Sequence, residues 1–203
     1  MSQRINLDNA GKFALAGNAI FTMVRPQRIV INGGEESIDP EKRFTYRIRR
    51  AKDDAENPNP RRPWFVSVLT GPCNGEDYQY LGTIFPARYA DEPAVVYQHG
   101  RKSRIGEDAP SAKGIAWFVR HLGRLLSLRQ ELANADMFAK PEVEANIAKV
   151  ETVLNQLLYY HEGRCGRCAR RLTVPESIIN GIGPECAKRE GGGLGLLDFL
   201  ARL

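Results

Sequence analysis

The chain has 203 residues, 42% of them hydrophobic and 26% charged, with a formal net charge of +5. That length suffices for one or two domains whose core folds without covalent staples, and the moderate positive charge permits nucleic-acid binding without demanding it. No run approaches the ~20 apolar residues that span a bilayer, and the start, Met1-Ser2-Gln3-Arg4-Ile5-Asn6, lacks a secretory apolar core. The expected compartment is the reducing cytoplasm, where four clustered cysteines point to metal before disulfides.

Residues 1–105 read as a β-rich domain, an antiparallel sheet or small barrel. Short candidate strands occupy 13–24 and 28–31. Phe44, Tyr46 and Ile48 then alternate with Thr45, Arg47 and Arg49, the period-two signature of a half-buried strand. The proline-rich segment 58–63 reads as a stiff loop or chain crossing. Trp64, Val66 and Val68 alternate with Phe65, Ser67 and Leu69, the turn-rich stretch 70–77 follows, and 78–85 is β-prone again. Those two runs predict a hairpin with a long loop. Residues 94–99 are a further strand.

Helical spacing takes over in 106–160. Ser111 is the expected N-cap, and Ile115, Phe118, Val119, Leu122, Leu125, Leu126 and Leu132 form one stripe. A break over 134–140 precedes a second helix with Pro141 in its first turn and Glu142 and Glu144 near its positive end. Its stripe is Val143, Ile147, Val150, Leu154 and Leu157. Together these predict an αα-hairpin, hence an α+β chain. The last segment, 191–203, is a glycine joint followed by an apolar tail that folds back on the core or docks on a partner.

Between hairpin and tail, 161–190 has the pattern of a zinc module. Cys165-Gly166-Arg167-Cys168 is a knuckle in which two thiolates reach one ion, and Cys186 follows after seventeen residues in Gly181-Ile182-Gly183-Pro184-Glu185-Cys186. His161, expected at the end of the second helix, is the candidate fourth ligand, with Cys73 its rival. A redox Cys-x-x-Cys pair expects apolar neighbours, whereas Arg164, Arg167, Arg170 and Arg171 surround this one. Glu162 and Glu185 adjoin the ligands. Three thiolates nevertheless blunt Lewis acidity, so the zinc is expected to be structural rather than catalytic.

The run from His161 to Lys188 resembles a short zinc-finger-like family of uncharacterised function, common in bacteriophage and actinobacterial proteins. Its pattern is Cys-x-x-Cys-Gly-Arg-x-Leu followed by Gly-x-Gly-Pro-x-Cys, and here Ala169 stands where the pattern usually has glycine. The upstream runs at 17–22, 64–72 and 103–111 resemble phage proteins with such a tail. The resemblance implies a phage or prophage origin, a bacterial host cell as the location, and a zinc-bound C-terminus on Cys165, Cys168 and Cys186. It implies no settled activity and leaves the fourth ligand open.

Cations concentrate on the finger, where Arg164, Arg167, Arg170, Arg171, Lys188 and Arg189 lie, and on the first long helix. There Lys113, Trp117, Arg120 and Arg124 share one face. Arg101, Lys102 and Arg104 precede that helix, and Arg43, Arg47, Arg49 and Arg50 interleave with Phe44 and Tyr46. Cations beside an aromatic ring are what single-stranded nucleic acid requires, so DNA or RNA binding is the first expectation. The same residues also fit an ordinary solvated face, and Trp117 beside Phe118 fits a core. The alternative function is a protein-binding inhibitor of a host defence or replication complex. Dimerisation through the helices stays open. No phosphate-cradling Gly-x-x-x-x-Gly-Lys loop, nucleophile elbow or His-Glu-x-x-His occurs, and His99 and His121 are isolated, so no catalytic residue is assigned and an enzyme is not expected.

Overall fold

The computed structural model describes residues 3–27, 37–52, 61–89 and 92–190. The candidate strand at 28–31, residues 58–60 of the proline-rich segment, the glycine joint and the apolar tail lie outside the described residues. A short strand, β1 (Gln3–Ile5), leads into helix α1 (Leu7–Leu15). Here the strand expected from residue 13 is corrected: Phe13 is helical. Asn6 caps the helix, its Oδ1 accepting from the Asn9 N–H at 3.0 Å, and Ala10, Phe13 and Ala14 form a buried helical face. Gly17, at φ 116, turns the chain into β2 (Asn18–Gln27).

The strands that follow are β3 (Ser37–Arg50), β4 (Trp64–Leu69), β5 (Tyr78–Pro86) and β6 (Val95–His99), each antiparallel to the one before it. Their alternation is as the sequence indicates. Tyr46, Ile48 and Val66 point into the core, whereas Phe65 is 46% exposed on the opposite face. The long hairpin loop at 70–77 is braced by Asp77, whose Oδ2 accepts from the Cys73 N–H at 2.8 Å.

Helix α2 (Pro110–Asn134) and helix α3 (Lys140–Leu154) make the expected hairpin. Ser111 is not the N-cap of α2. Ala109 precedes the helix, Pro110 fills its first turn, and the buried Ser111 carbonyl accepts from the Tyr46 hydroxyl at 2.8 Å. The second helix stops at Leu154, three residues before its predicted stripe ends, and the chain turns into β7 (Leu158–His161). This strand enters the sheet between β1 and β2, antiparallel to both.

Among the described residues the order is β1-β7-β2-β3-β4-β5-β6, an open seven-stranded sheet with β1 and β6 at its edges. Helices α1, α2 and α3 share one apolar core with the sheet face that carries Phe21, Tyr46 and Ile48. Phe118 of α2 sits at its centre, with ring centroids 5.7 Å from Phe21 and 5.6 Å from Tyr159. Each such aromatic side chain contributes about 2–3 kcal/mol by leaving water. Outside that core, Arg129 of α2 ties α1 to α3, reaching Asp8 and Glu151 at 2.7 Å each. Among the described residues no helix is long and apolar enough to cross a membrane.

Candidate metal centre

Strand β7 hands the chain directly to the cysteine module. Gly163, at φ 68, starts a tight hairpin in which Arg164 and Arg171 form a bridge and the Leu172 N–H reaches the Gly163 carbonyl at 2.8 Å. Inside it, the Cys165 N–H donates to Arg170 O at 2.8 Å and the Ala169 N–H to Cys165 O at 2.9 Å. This curl turns Cys165 and Cys168 towards the same point. The return segment runs through helix α4 (Pro175–Asn180), which ends on the left-handed Gly181 at φ 71. Helix α5 (Pro184–Glu190) then places Cys186 in its first turn.

The Sγ atoms of Cys165, Cys168 and Cys186 all lie within 4.8 Å of one another. Metal–sulfur bonds of ~2.3 Å in a tetrahedron require sulfurs about 3.8 Å apart, so the three thiols can hold a metal ion with little movement. Cys165 and Cys186 are buried with Leu172 and Ile182 in a small second core, and Cys168 faces solvent. Burial alone would raise the Cys165 thiol. Backbone N–H groups of Gly183, Cys168 and Arg167 outweigh it and hold the pKa below the ordinary value. Burial first, then the neighbouring Cys168 and Cys165 sulfurs, push Cys186 up to about 12. Thiols so crowded do not ionise together without a cation between them.

The module docks on the sheet through backbone. The Asn18 N–H of β2 donates to Gly166 O at 2.6 Å, and the Gly166 N–H donates to Gly181 O at 3.0 Å. A Cβ on Gly166 would stand 2.7 Å from Cδ2 of Phe13. Glycine is thus required there by the close approach to α1, not only by crowding between thiols. Asn9 of α1 adds a hydrogen bond to Asn180 Oδ1 at 3.0 Å.

His161, the expected fourth ligand, is not among the three residues whose ligand atoms lie within 4.8 Å of one another. It is the last residue of β7, 1% exposed, with its ring 5.2 Å from that of Phe13. Its Nδ1 accepts from the Gly163 N–H at 3.2 Å, so Nε2 carries the proton and donates to Ile178 O at 2.8 Å. Burial lowers its pKa, and the ring braces α4 against the sheet as a neutral group. The rival, Cys73, is exposed in the β4–β5 loop and also stands outside the thiol group. Glu162 is turned towards Asn74 of that loop, and Glu185 is exposed beyond the thiols.

The candidate nucleic-acid residues fall on two surfaces. Arg164, Arg170 and Arg171 are exposed on the knuckle, and Arg164 donates to Ala169 O at 3.2 Å. Arg167 is half-buried and spans the module, donating to Cys186 O at 3.2 Å. On α2, Lys113, Arg120 and Arg124 are exposed, and Trp117 is half-buried with its ring 4.3 Å from that of His121. Of the β3 arginines, Arg43, Arg47 and Arg49 face away from Phe44 and Tyr46, whereas Arg50 has their parity and lies 5.0 Å over the Trp64 ring. Arg47 lies over the Tyr78 ring at 4.1 Å, whereas Tyr46 is buried on the helix side. The period-two alternation of residues 44–49 already implies that separation, since neighbours along a strand face opposite ways.

Seven antiparallel strands, helices packed on one face and a three-cysteine cluster after β7 define an α+β protein with a metal-competent C-terminal module. Residues 160–191 match a family described as a family of unknown function, DUF6011. The matched stretch begins within β7 and ends with α5, so it coincides with the cysteine module. No curated protein and no solved structure matches the chain.

Proposed function

We propose that the protein binds one zinc ion through Cys165, Cys168 and Cys186, and that this clamp presents arginines to the backbone of a single-stranded nucleic acid. The fourth donor is then a water or a group outside the thiol cluster. Zinc suits the site because soft thiolates select it, and three of them leave it a poor Lewis acid; the metal closes the fold and takes no part in catalysis. We place this binding protein in phage DNA metabolism or counter-defence, in the cytoplasm of a bacterial host, on the strength of the sequence resemblance.

The observation that carries the nucleic-acid reading is the pairing of Arg164 with Arg171 across the knuckle hairpin, with Arg170 exposed beside them. Like charges directly opposite one another destabilise a β-bridge, and an anionic ligand relieves that repulsion. The test is a binding titration with single- and double-stranded DNA and RNA at rising salt. The expected affinity falls steeply with salt and drops at least tenfold in the variant Arg164→Ala, Arg170→Ala, Arg171→Ala. Binding that ignores those substitutions, or no binding at low salt, contradicts the reading.

A second reading, docking on a host protein, has its own observation. Met137 and Phe138, at the tip of the α2–α3 hairpin, are 75% and 83% exposed. Exposed apolar side chains of that size on a rigid tip suit a partner's pocket. This reading expects a stoichiometric partner to survive nuclease treatment and to be lost in Met137→Asp, Phe138→Asp. A partner retained by that variant would refute it.

A further inference from the structure

Away from the metal module, a cleft of about 360 Å³ opens between β2, β3, the first turns of α2 and the turn that precedes β7. Its apolar and aromatic lining includes Met23, Phe44, Tyr46, Trp117 and Leu157. Among the described residues, the charged side chains that line it are Arg25 and Lys113, both exposed. Gln156, also exposed, adds an amide that both donates and accepts.

The walls are held before any ligand arrives. The Tyr46 hydroxyl is fixed on Ser111 O, and the Trp117 ring packs at a tilt on that of His121. Gly114 also lines the cleft, and a Cβ there would stand 3.0 Å from the Tyr46 hydroxyl oxygen. Glycine is a poor residue for a helix interior, yet at this position it keeps the wall clear.

We infer that this cleft binds a nucleotide, with the base against Phe44 and Trp117 and the phosphate between Arg25 and Lys113. An aromatic and thioether wall takes a planar ring by stacking, as a base is tolerated by any π-face. Two cations complement one phosphate, and the Gln156 amide can meet the edge of a base. The cleft and the knuckle lie beyond opposite ends of β7, so this site does not depend on the arginines of the metal module. A free nucleotide and the phosphorylated end of a strand share this chemistry.

The test uses the full chain and follows the Trp117 indole signal by NMR during titration with adenosine 5′-monophosphate, adenosine and inorganic phosphate. Trp64, the other tryptophan, is buried with its N–H on Leu15 O and serves as the internal control. The nucleotide is expected to shift Trp117 and to bind at least tenfold tighter than adenosine or phosphate. Lys113→Glu and Arg25→Glu, both at exposed positions, are each expected to weaken it at least tenfold while leaving the Trp64 signal in place. Equal affinity for adenosine, an unmoved Trp117, or tight binding that survives both charge reversals would overturn the inference. So would octanoate competing for the cleft as well as the nucleotide does. A 5′-phosphorylated oligonucleotide that binds tighter than the mononucleotide identifies the strand end as the natural occupant, and one that binds no tighter identifies the free nucleotide. Nucleotide binding that persists when Arg164, Arg170 and Arg171 are replaced separates this site from the proposed nucleic-acid surface. If those replacements abolish oligonucleotide binding while the mononucleotide never binds, only this inference fails.

Discussion

At Ala169 the backbone sits at φ 59, in the left-handed region where a Cβ costs roughly 1–2 kcal/mol. The strain comes from the knuckle itself, because the Ala169 N–H must turn back to Cys165 O to bring Cys168 beside Cys165. Glycine adopts that conformation freely, although it loses more entropy on folding. Ala169→Gly is expected to stabilise the metal-loaded protein by about 0.5–1 kcal/mol in urea unfolding. Destabilisation would mean that the alanine methyl makes a contact that outweighs the strain. At His161 the expectation runs the other way. Its ring is buried, makes two hydrogen bonds and packs on Phe13, so His161→Ala should cost about 2–4 kcal/mol. Metal stoichiometry measured below the unfolding transition should stay at the wild-type value. Loss of metal from a folded variant would return His161 to the ligand set.

At the scale of elements, the module has little to hold it without metal. Its own core is Cys165, Leu172, Ile182 and Cys186, too small to order helices as short as α4 and α5. Structural zinc contributes ~10 kcal/mol or more to the folding of such a unit. Chelation is therefore expected to release the amides of residues 165–188 to hydrogen exchange, while those of β2 to β5 keep their protection. Uniform loss of protection across the sheet would show that sheet and module unfold as one unit. The Arg129 tie is a smaller matter. Its partner Asp8 has a side chain 67% exposed, so Arg129→Ala should cost only about 0.5–1 kcal/mol in the same assay. A larger loss would mean that the aliphatic stem of Arg129 packs as well as its charge pairs.

The elements also show where the sequence was legible. The meander, the αα-hairpin and the three cysteines were readable because period two, helical spacing and Cys-x-x-Cys are local signals. Helix α1 and strand β7 were not. Residues 7–15 make a helix of only nine residues, and its Phe13 runs on towards the β-prone stretch that begins at Asn18, while the apolar stripe of α3 continues past its end through Leu157 into the β-prone Tyr159 and Tyr160. The placement of His161 followed from that boundary. A helix end would have left its ring free to reach the thiols, whereas the strand end commits both ring nitrogens elsewhere. The cleft was half legible: Lys113 and Trp117 shared a helix face in the sequence, but Met23, Arg25, Phe44 and Tyr46 come to it only through the sheet.

For the whole molecule, β7 joins the two halves of the argument. It follows the helices in sequence, pairs between β1 and β2 in space, and leads straight into the knuckle. The metal module is consequently built onto the sheet rather than tethered beside it, with Asn18, Phe13 and His161 as its contacts. Whatever surface the module presents is held at a fixed place relative to the cleft. The proposed clamp has three thiolates holding one zinc ion in this module. Elemental analysis of the purified full chain, alongside Cys165→Ser, Cys186→Ser and His161→Ala, tests it most directly. One zinc per chain in the wild type and in His161→Ala, with loss in both cysteine variants, is the predicted result. A wild-type protein prepared under reducing conditions that carries no zinc and takes none up would contradict it.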